Sequence, residues 1–113
     1  MNDVLAKVVW LSIPEVAEIL NLPLGKVHRL LEEHVLIEAR IDGVRKIPAD
    51  AIQNGEPLPS LRGTIFLLMD CGLDQQGILE WLYTPEESLG TTPMAALLEG
   101  KKSPVRRAAQ TLG

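Results

Sequence analysis

The sequence predicts a mainly α-helical chain with a small β-hairpin: a winged helix-turn-helix followed by an all-helical C-terminal lobe. Three observations carry this reading. Two short amphipathic stretches follow each other across a break of a few residues, Asn21 to Pro23, which is helix-turn-helix spacing. An Asp42-Gly43 pair then separates two β-forming runs, the strongest short-range hairpin signal. Beyond Pro59 the remaining stretches carry helix start and stop residues.

Each element has its own local warrant. Ser12 with Glu15 three residues later forms a capping-box pattern, and Pro14 is tolerated in the first turn. Ile13, Val16, Ala17 and Leu20 then make one apolar stripe. Asn21 suits the left-handed residue that ends a helix, and Pro23 suits the start of the next. The second helix is expected from about Leu24 to His34, with Leu24, Val27, Leu30 and Leu31 on the buried side. Its other side centres on Gly25 and Arg29, flanked by Lys26, Glu32 and Glu33, with His28 at the border. Charge on this helix is therefore basic early and acidic late.

In the hairpin, Ile37, Ala39 and Ile41 alternate with Glu38 and Arg40 before the Asp-Gly turn, and the return run reaches Ile47. Pro48 ends it and Ala49 to Ile52 can form a helical turn. The breaker-rich segment Asn54 to Pro59 reads as a linker, which divides the chain into residues 1–56 and 57–113. In the second part Ser60 is expected to cap a helix to about Cys71, stopped by Gly72. Asp74 caps another through Trp81 and Tyr83, Pro93 to Leu98 form a third stopped by Gly100, and Ser103 and Pro104 open the last, basic at Arg106 and Arg107.

Bulk properties narrow the function. A chain of 113 residues that is 46% hydrophobic can bury one real core. It lacks a basic-then-apolar leader and any run near the roughly 18 to 20 apolar residues that span a bilayer, so a cytoplasmic protein is expected. The lone Cys71, in the apolar run IFLLMDCGL, reads as a buried inert thiol. A net charge of −4 argues against indiscriminate polyanion binding, so contact with DNA requires a local basic surface. Trp10, Phe66, Trp81 and Tyr83 are too scattered to form a stacking platform for single strands.

The early, basic end of the second helix supplies that surface. In a helix-turn-helix this end meets base edges, which here assigns the major groove to Gly25, Lys26, His28 and Arg29. Arg29 can pair bidentately with guanine, worth about 1 to 3 kcal/mol of discrimination. Gly25 lets the backbone approach closely. A two-residue Asp-Gly loop would set Arg40 directly opposite Arg45, a like-charged pair whose cost an anion between them would remove. A phosphate backbone along the wing could be that anion, with Lys46 as a further contact. The alternative for each of these cations is an ordinary solvated surface.

Catalytic readings find no support. There is no Gly-rich phosphate loop or nucleophile elbow, and His28, His34 and Cys71 lack metal-ligand spacing, so no enzyme, cofactor or metal is expected. His34 reads as a helix-terminal residue serving the last carbonyls, and Glu86-Glu87 as a solvated pair.

The stretch LSIPEVAEILNLPLGKVHRLLEEHVLIEARIDGVRKIPADAI resembles the excisionase and MerR-type winged helix-turn-helix. With EPLPSLRGT and WLYTPEESLGTTPMAALLEGKKSPVRRAAQ, the chain resembles a family of small actinobacterial winged-helix DNA-binding proteins, whose mycobacterial members include a serine/threonine-kinase substrate. The resemblance implies duplex binding through the helix around Lys26, His28 and Arg29 and through the wing. Sustained heptads for a MerR-type dimer are missing, and no threonine precedes Thr64, so neither coiled-coil dimerisation nor control through an N-terminal threonine is carried over. The segment WLYTPEESLGTTPMAALLEG also resembles the closing motif of Xre/MbcA/ParS-type antitoxins. Its Trp81, Leu82, Thr84, Pro85, Leu89, Gly90, Thr92, Pro93, Leu97 and Leu98 read first as packing and turn residues, with a homodimer or a protein partner on the helical lobe as the alternative. The leading expectation is a transcriptional or architectural regulator that binds double-stranded DNA, nucleoid-associated when bound. The alternative is an antitoxin-like interaction module.

Overall fold

The computed structural model describes residues 3–112. A single 3-10 turn (Asp3–Leu5) precedes β1 (Trp10–Ser12), α1 (Ile13–Leu20) and α2 (Leu24–Glu32). The wing follows as β2 (Ala39–Ile41) and β3 (Val44–Pro48), then a 3-10 turn (Ala49–Ala51) and a second small hairpin, β4 (Ile52–Gln53) and β5 (Glu56–Pro57). The helical part is α3 (Leu61–Asp70), α4 (Gln75–Leu82), α5 (Pro93–Leu98) and α6 (Lys102–Gln110). Among the described residues no helix is long and apolar enough to cross a membrane.

Local chemistry explains the start of the helix-turn-helix. The Ser12 hydroxyl accepts from the Glu15 amide at 3.2 Å while the Glu15 carboxylate accepts from the Ser12 amide at 2.9 Å, closing the capping box. Asn21 ends α1 at φ 56° in the left-handed region, as its short polar side chain permits. Ser12 also belongs to β1, a strand that local patterning did not announce. Trp10, Leu11 and Ser12 pair antiparallel with Pro48, Ile47 and Lys46, which makes β3 the centre of a three-stranded sheet in the order β1-β3-β2.

Three expectations need correction at element ends. The second helix stops at Glu32, and His34 lies beyond it at φ 62°. The His34 amide binds the Leu31 carbonyl at 3.2 Å and the Val35 amide the Leu30 carbonyl at 2.9 Å, so His34 fills the left-handed position of a Schellman ending. Leu24 does not join the buried side: it is 51% exposed, because the first residue of α2 precedes the turn that packs on α1. Ser60 begins α3 without a side-chain cap, since its own backbone is already helical.

The segment expected as a loose linker is folded. Asn54 and Gly55, at φ 55° and 74°, form a two-residue turn, and Ile52↔Pro57 and Gln53↔Glu56 pair across it. Leu58 is buried, and its amide binds the Ala51 carbonyl at 2.8 Å. The buried side chains of both halves form one cluster, from Val16, Val27 and Ile47 to Leu61, Leu79, Leu97 and Val105. Tyr83 adds a polar tie, its hydroxyl donating at 2.9 Å to Asp50 in the 3-10 turn after the wing. Burial and the adjacent Asp50 charge push the Tyr83 phenol well above its usual range. Cys71 is half-buried rather than enclosed, with its thiol 3.6 Å from the Ala109 carbonyl.

Candidate nucleic-acid interface

The first turn and a half of α2 presents Gly25, Lys26 and Arg29 to solvent, while Val27 and Leu31 face the core. Nothing lies within 4 Å of where a Gly25 side chain would begin, so this surface is open to an approaching partner. The wing stands beside it. Asp42 and Gly43 both take positive φ, 53° and 80°, which gives the two-residue turn and pairs Arg40 directly with Arg45.

The two arginines are opposed as their spacing implies, but they do not lack an anion. Glu38, two residues before Arg40 and so on the same face of the strand, takes Arg45 in a bidentate pair: Nε to Oε1 at 2.5 Å and Nη2 to Oε2 at 2.7 Å. That hydrogen bond is the first reason the Glu38 carboxyl titrates below the usual carboxylate range. The premise that the pair needs an outside phosphate is thereby corrected. The sheet carries its own counter-charge, and Arg40, exposed at the rim, forms no salt bridge among the described residues.

Arg45 also reaches α2. Its Nη1 lies 3.2 Å from Nδ1 of His28. Guanidinium nitrogens only donate, so in this contact Nδ1 is the acceptor, which places the ring proton on Nε2. The row Glu38, Arg45, His28 thus fixes the wing against the second helix and leaves one ring donor for other use. Lys46 alternates to the opposite face of β3, where its charge helps hold Glu15 in the carboxylate form, after the larger effect of the Ser12 hydrogen bonds. His28 on α2 and Arg45 on the wing are in contact, Arg40 pairs with Arg45 in the sheet, and Lys26 and Arg29 are exposed on the same helix as His28; Lys46 lies on the other face of β3.

Two contacts at the far end of α2 were not expected. Arg62 on α3 donates from Nε to the Glu33 carbonyl at 2.9 Å and lies 5.0 Å over the Phe66 ring. His34 stacks edge-on against the same ring at 5.2 Å. The Leu30 and Leu31 carbonyls are thus served by the Val35 and His34 amides, Arg62 serves the Glu33 carbonyl just past the helix, and the His34 ring packs. Nothing local could have announced this, because 29 residues separate Arg62 from Glu33. Glu38 was legible: once the Asp-Gly loop sets the register, it falls diagonal to Arg45.

Comparison with known proteins fits this architecture. A family model described as "DNA-binding protein Rv2175c, wHTH domain" matches residues 1–52, and one described as "Rv2175c C-terminal domain of unknown function" matches residues 58–113. A solved structure, "NMR structure of Rv2175c", is similar over 96% of this chain and 84% of its own, with a TM-score of 0.83 and 30% identity. This chain belongs to the Rv2175c family. The "DNA-binding protein Rv2175c" of Mycobacterium tuberculosis is 38% identical over 82 residues, which are 72% of this chain and 56% of that protein. The chain thus matches little more than half the length of that relative. The Rv2175c winged helix-turn-helix assignment covers α1, α2 and the wing; the C-terminal assignment covers the four remaining helices.

Proposed function

We propose that this chain binds double-stranded DNA as a transcriptional or architectural regulator, with residues 1–56 reading the duplex and residues 57–113 as the helical lobe. One observation carries the proposal: the exposed early face of α2 is joined by the His28–Arg45 contact to a wing that exposes Arg40 at its rim. Lys26 and Arg29 then enter the major groove, Gly25 allows close approach, and His28 offers its Nε2 proton to a base or phosphate acceptor. Arg40 meets the backbone, with Arg45 holding the wing in place and Lys46 a minor contributor. The mycobacterial relative's name as a DNA-binding protein supports the reading. Such a regulator works in the cytoplasm, on the nucleoid.

The antitoxin-like reading gains nothing comparable. Three of the residues that prompted it are used within the fold: Thr92 caps α5 through the Ala95 amide at 3.1 Å, and Leu82 and Leu97 are buried.

Selection of bound duplexes from a random pool tests the proposal and returns the site with its symmetry; a palindrome would identify a dimer. Arg29→Ala should relax preference at one base position by about 1 to 3 kcal/mol while binding to other sequences persists. A pool that shows no enrichment and no retained duplex at low salt would refute DNA binding.

A further inference from the structure

Affinity for duplex DNA comes largely from phosphates neutralised by cations, and the winged half is poor in uncommitted ones. Arg45 is held by Glu38, Lys46 sits near Glu15, and Lys26 and Arg29 share a helix with Glu32. Residues 1–56 carry 6 Lys and Arg against 9 Asp and Glu, and residues 57–100 carry 1 against 6. Residues 101–113 carry 4 and no acid at all. The one segment in which cations outnumber acids is therefore the C-terminal one, which carries the last helix.

These four cations, Lys101, Lys102, Arg106 and Arg107, are all exposed, while Val105, Ala108 and Ala109 bury the other side of α6. Lys101 has a carboxylate in range, Glu99 at 3.5 Å, and that pair is more than half exposed. No salt bridge is formed by the other three among the described residues. The patch also connects to α2. Arg106 lies across α3 at Gly63, where a side chain would begin only 2.5 Å from its Nη2, and Gly63 adjoins Arg62, which binds the Glu33 carbonyl at the end of α2. Arg62 and Arg106 thus both rest against α3, Arg62 toward the end of the second helix and Arg106 in a groove that Phe66 and Asp70 also line.

We infer that α6 is a sequence-independent phosphate clamp: the surface through which the helical lobe holds the backbone of the duplex whose bases α2 reads. The inference rests on the duplex-binding reading above and gives the C-terminal lobe a task. Labour is divided by chemistry. The winged half, in which acids outnumber cations, discriminates between sequences, and α6, with no acid in its segment, supplies affinity. A protein with net charge −4 can bind a polyanion this way because screening confines each field to about 8 Å at physiological salt.

The test compares the full chain with Lys101→Gln/Lys102→Gln/Arg106→Gln/Arg107→Gln on a pool of random-sequence duplexes, from 50 to 200 mM salt. Each lost phosphate contact flattens the log–log salt slope by about 0.9, so the variant slope should be shallower by roughly 3 to 4. Over that fourfold range the parent should lose on the order of 100-fold more affinity than the variant. The base preference returned by selection should be unchanged. Arg106→Lys/Arg107→Lys, which keeps the charge, should keep the slope. If the fourfold variant fails to fold by circular dichroism, the two Lys→Gln and the two Arg→Gln changes, made separately, should each remove about half of the difference. A parent that binds DNA and a folded variant with the same slope would overturn the clamp while leaving the winged reading intact. A parent that retains no duplex at 50 mM salt would sink both.

Discussion

Replacing Glu38 by Gln keeps the size of the side chain and removes the charge that holds Arg45 beside Arg40. The pair has two charge-assisted hydrogen bonds, with Glu38 14% exposed and Arg45 38% exposed. Exposed pairs contribute about 0 to 1 kcal/mol, and breaking fully buried ones costs about 3 to 5. With one partner sheltered and the other screened, about 2 kcal/mol is expected for Glu38→Gln. At roughly 2.1 cal/mol/K per residue for unfolding, a chain of 113 residues loses about 4 °C of Tm per kcal/mol, hence about 8 °C. Calorimetry at pH 7 measures the shift, and a double-mutant cycle with Arg45→Met isolates the coupling. The pH dependence adds a check of sign. The folded-state pKa of Glu38 is depressed below its ordinary value of 4.5, so the stabilisation is present above that value and is lost as pH falls through the folded one. Parent and variant should converge in acid. A Tm drop under about 2 °C at pH 7, or a gap that persists undiminished in acid, would refute the argument.

The tie between the two halves makes a prediction at the opposite end of the pH scale. Tyr83 keeps its proton in the fold above the ordinary 10.0, so the unfolded chain releases it first and stability falls as pH rises beyond that value. Tyr83→Phe should cost about 1 kcal/mol at pH 7 through the lost bond to Asp50, yet the gap should narrow above pH 10 by up to about 1.4 kcal/mol per unit. Parallel denaturation curves for the two proteins at pH 9 and pH 11 would contradict it. Gly63→Ala tests how Arg106 is seated. The new Cβ meets the far end of a flexible side chain, so the guanidinium swings aside and the helix gains about 0.5 kcal/mol from the better propensity. A loss of more than about 1 kcal/mol in urea titration would show that Arg106 is fixed there.

How far the sequence alone reached depends on the range of the interactions. The capping box at Ser12, the left-handed Asn21 and the Asp42-Gly43 turn are set within four residues by hydrogen bonding and steric limits, so they were legible and fixed the helix-turn-helix and the wing register. The Asn54-Gly55 turn carried the same signal, masked by the neighbouring prolines, one of which sits in β5 with its missing N–H tolerated in a two-strand ribbon. β1 could not be read locally, because three residues become a strand only when β3 offers them partners. The basic early face of α2 was visible as residue types at helical spacing. Whether those charges are free was decided in three dimensions: Glu38 satisfies Arg45, alternation turns Lys46 away, and Arg62 reaches α2 from α3. Charge in a sequence is a count, and its effect depends on distance. Only the tertiary structure showed that the wing is nearly neutralised from within and that the C-terminal helix keeps its cations in the open.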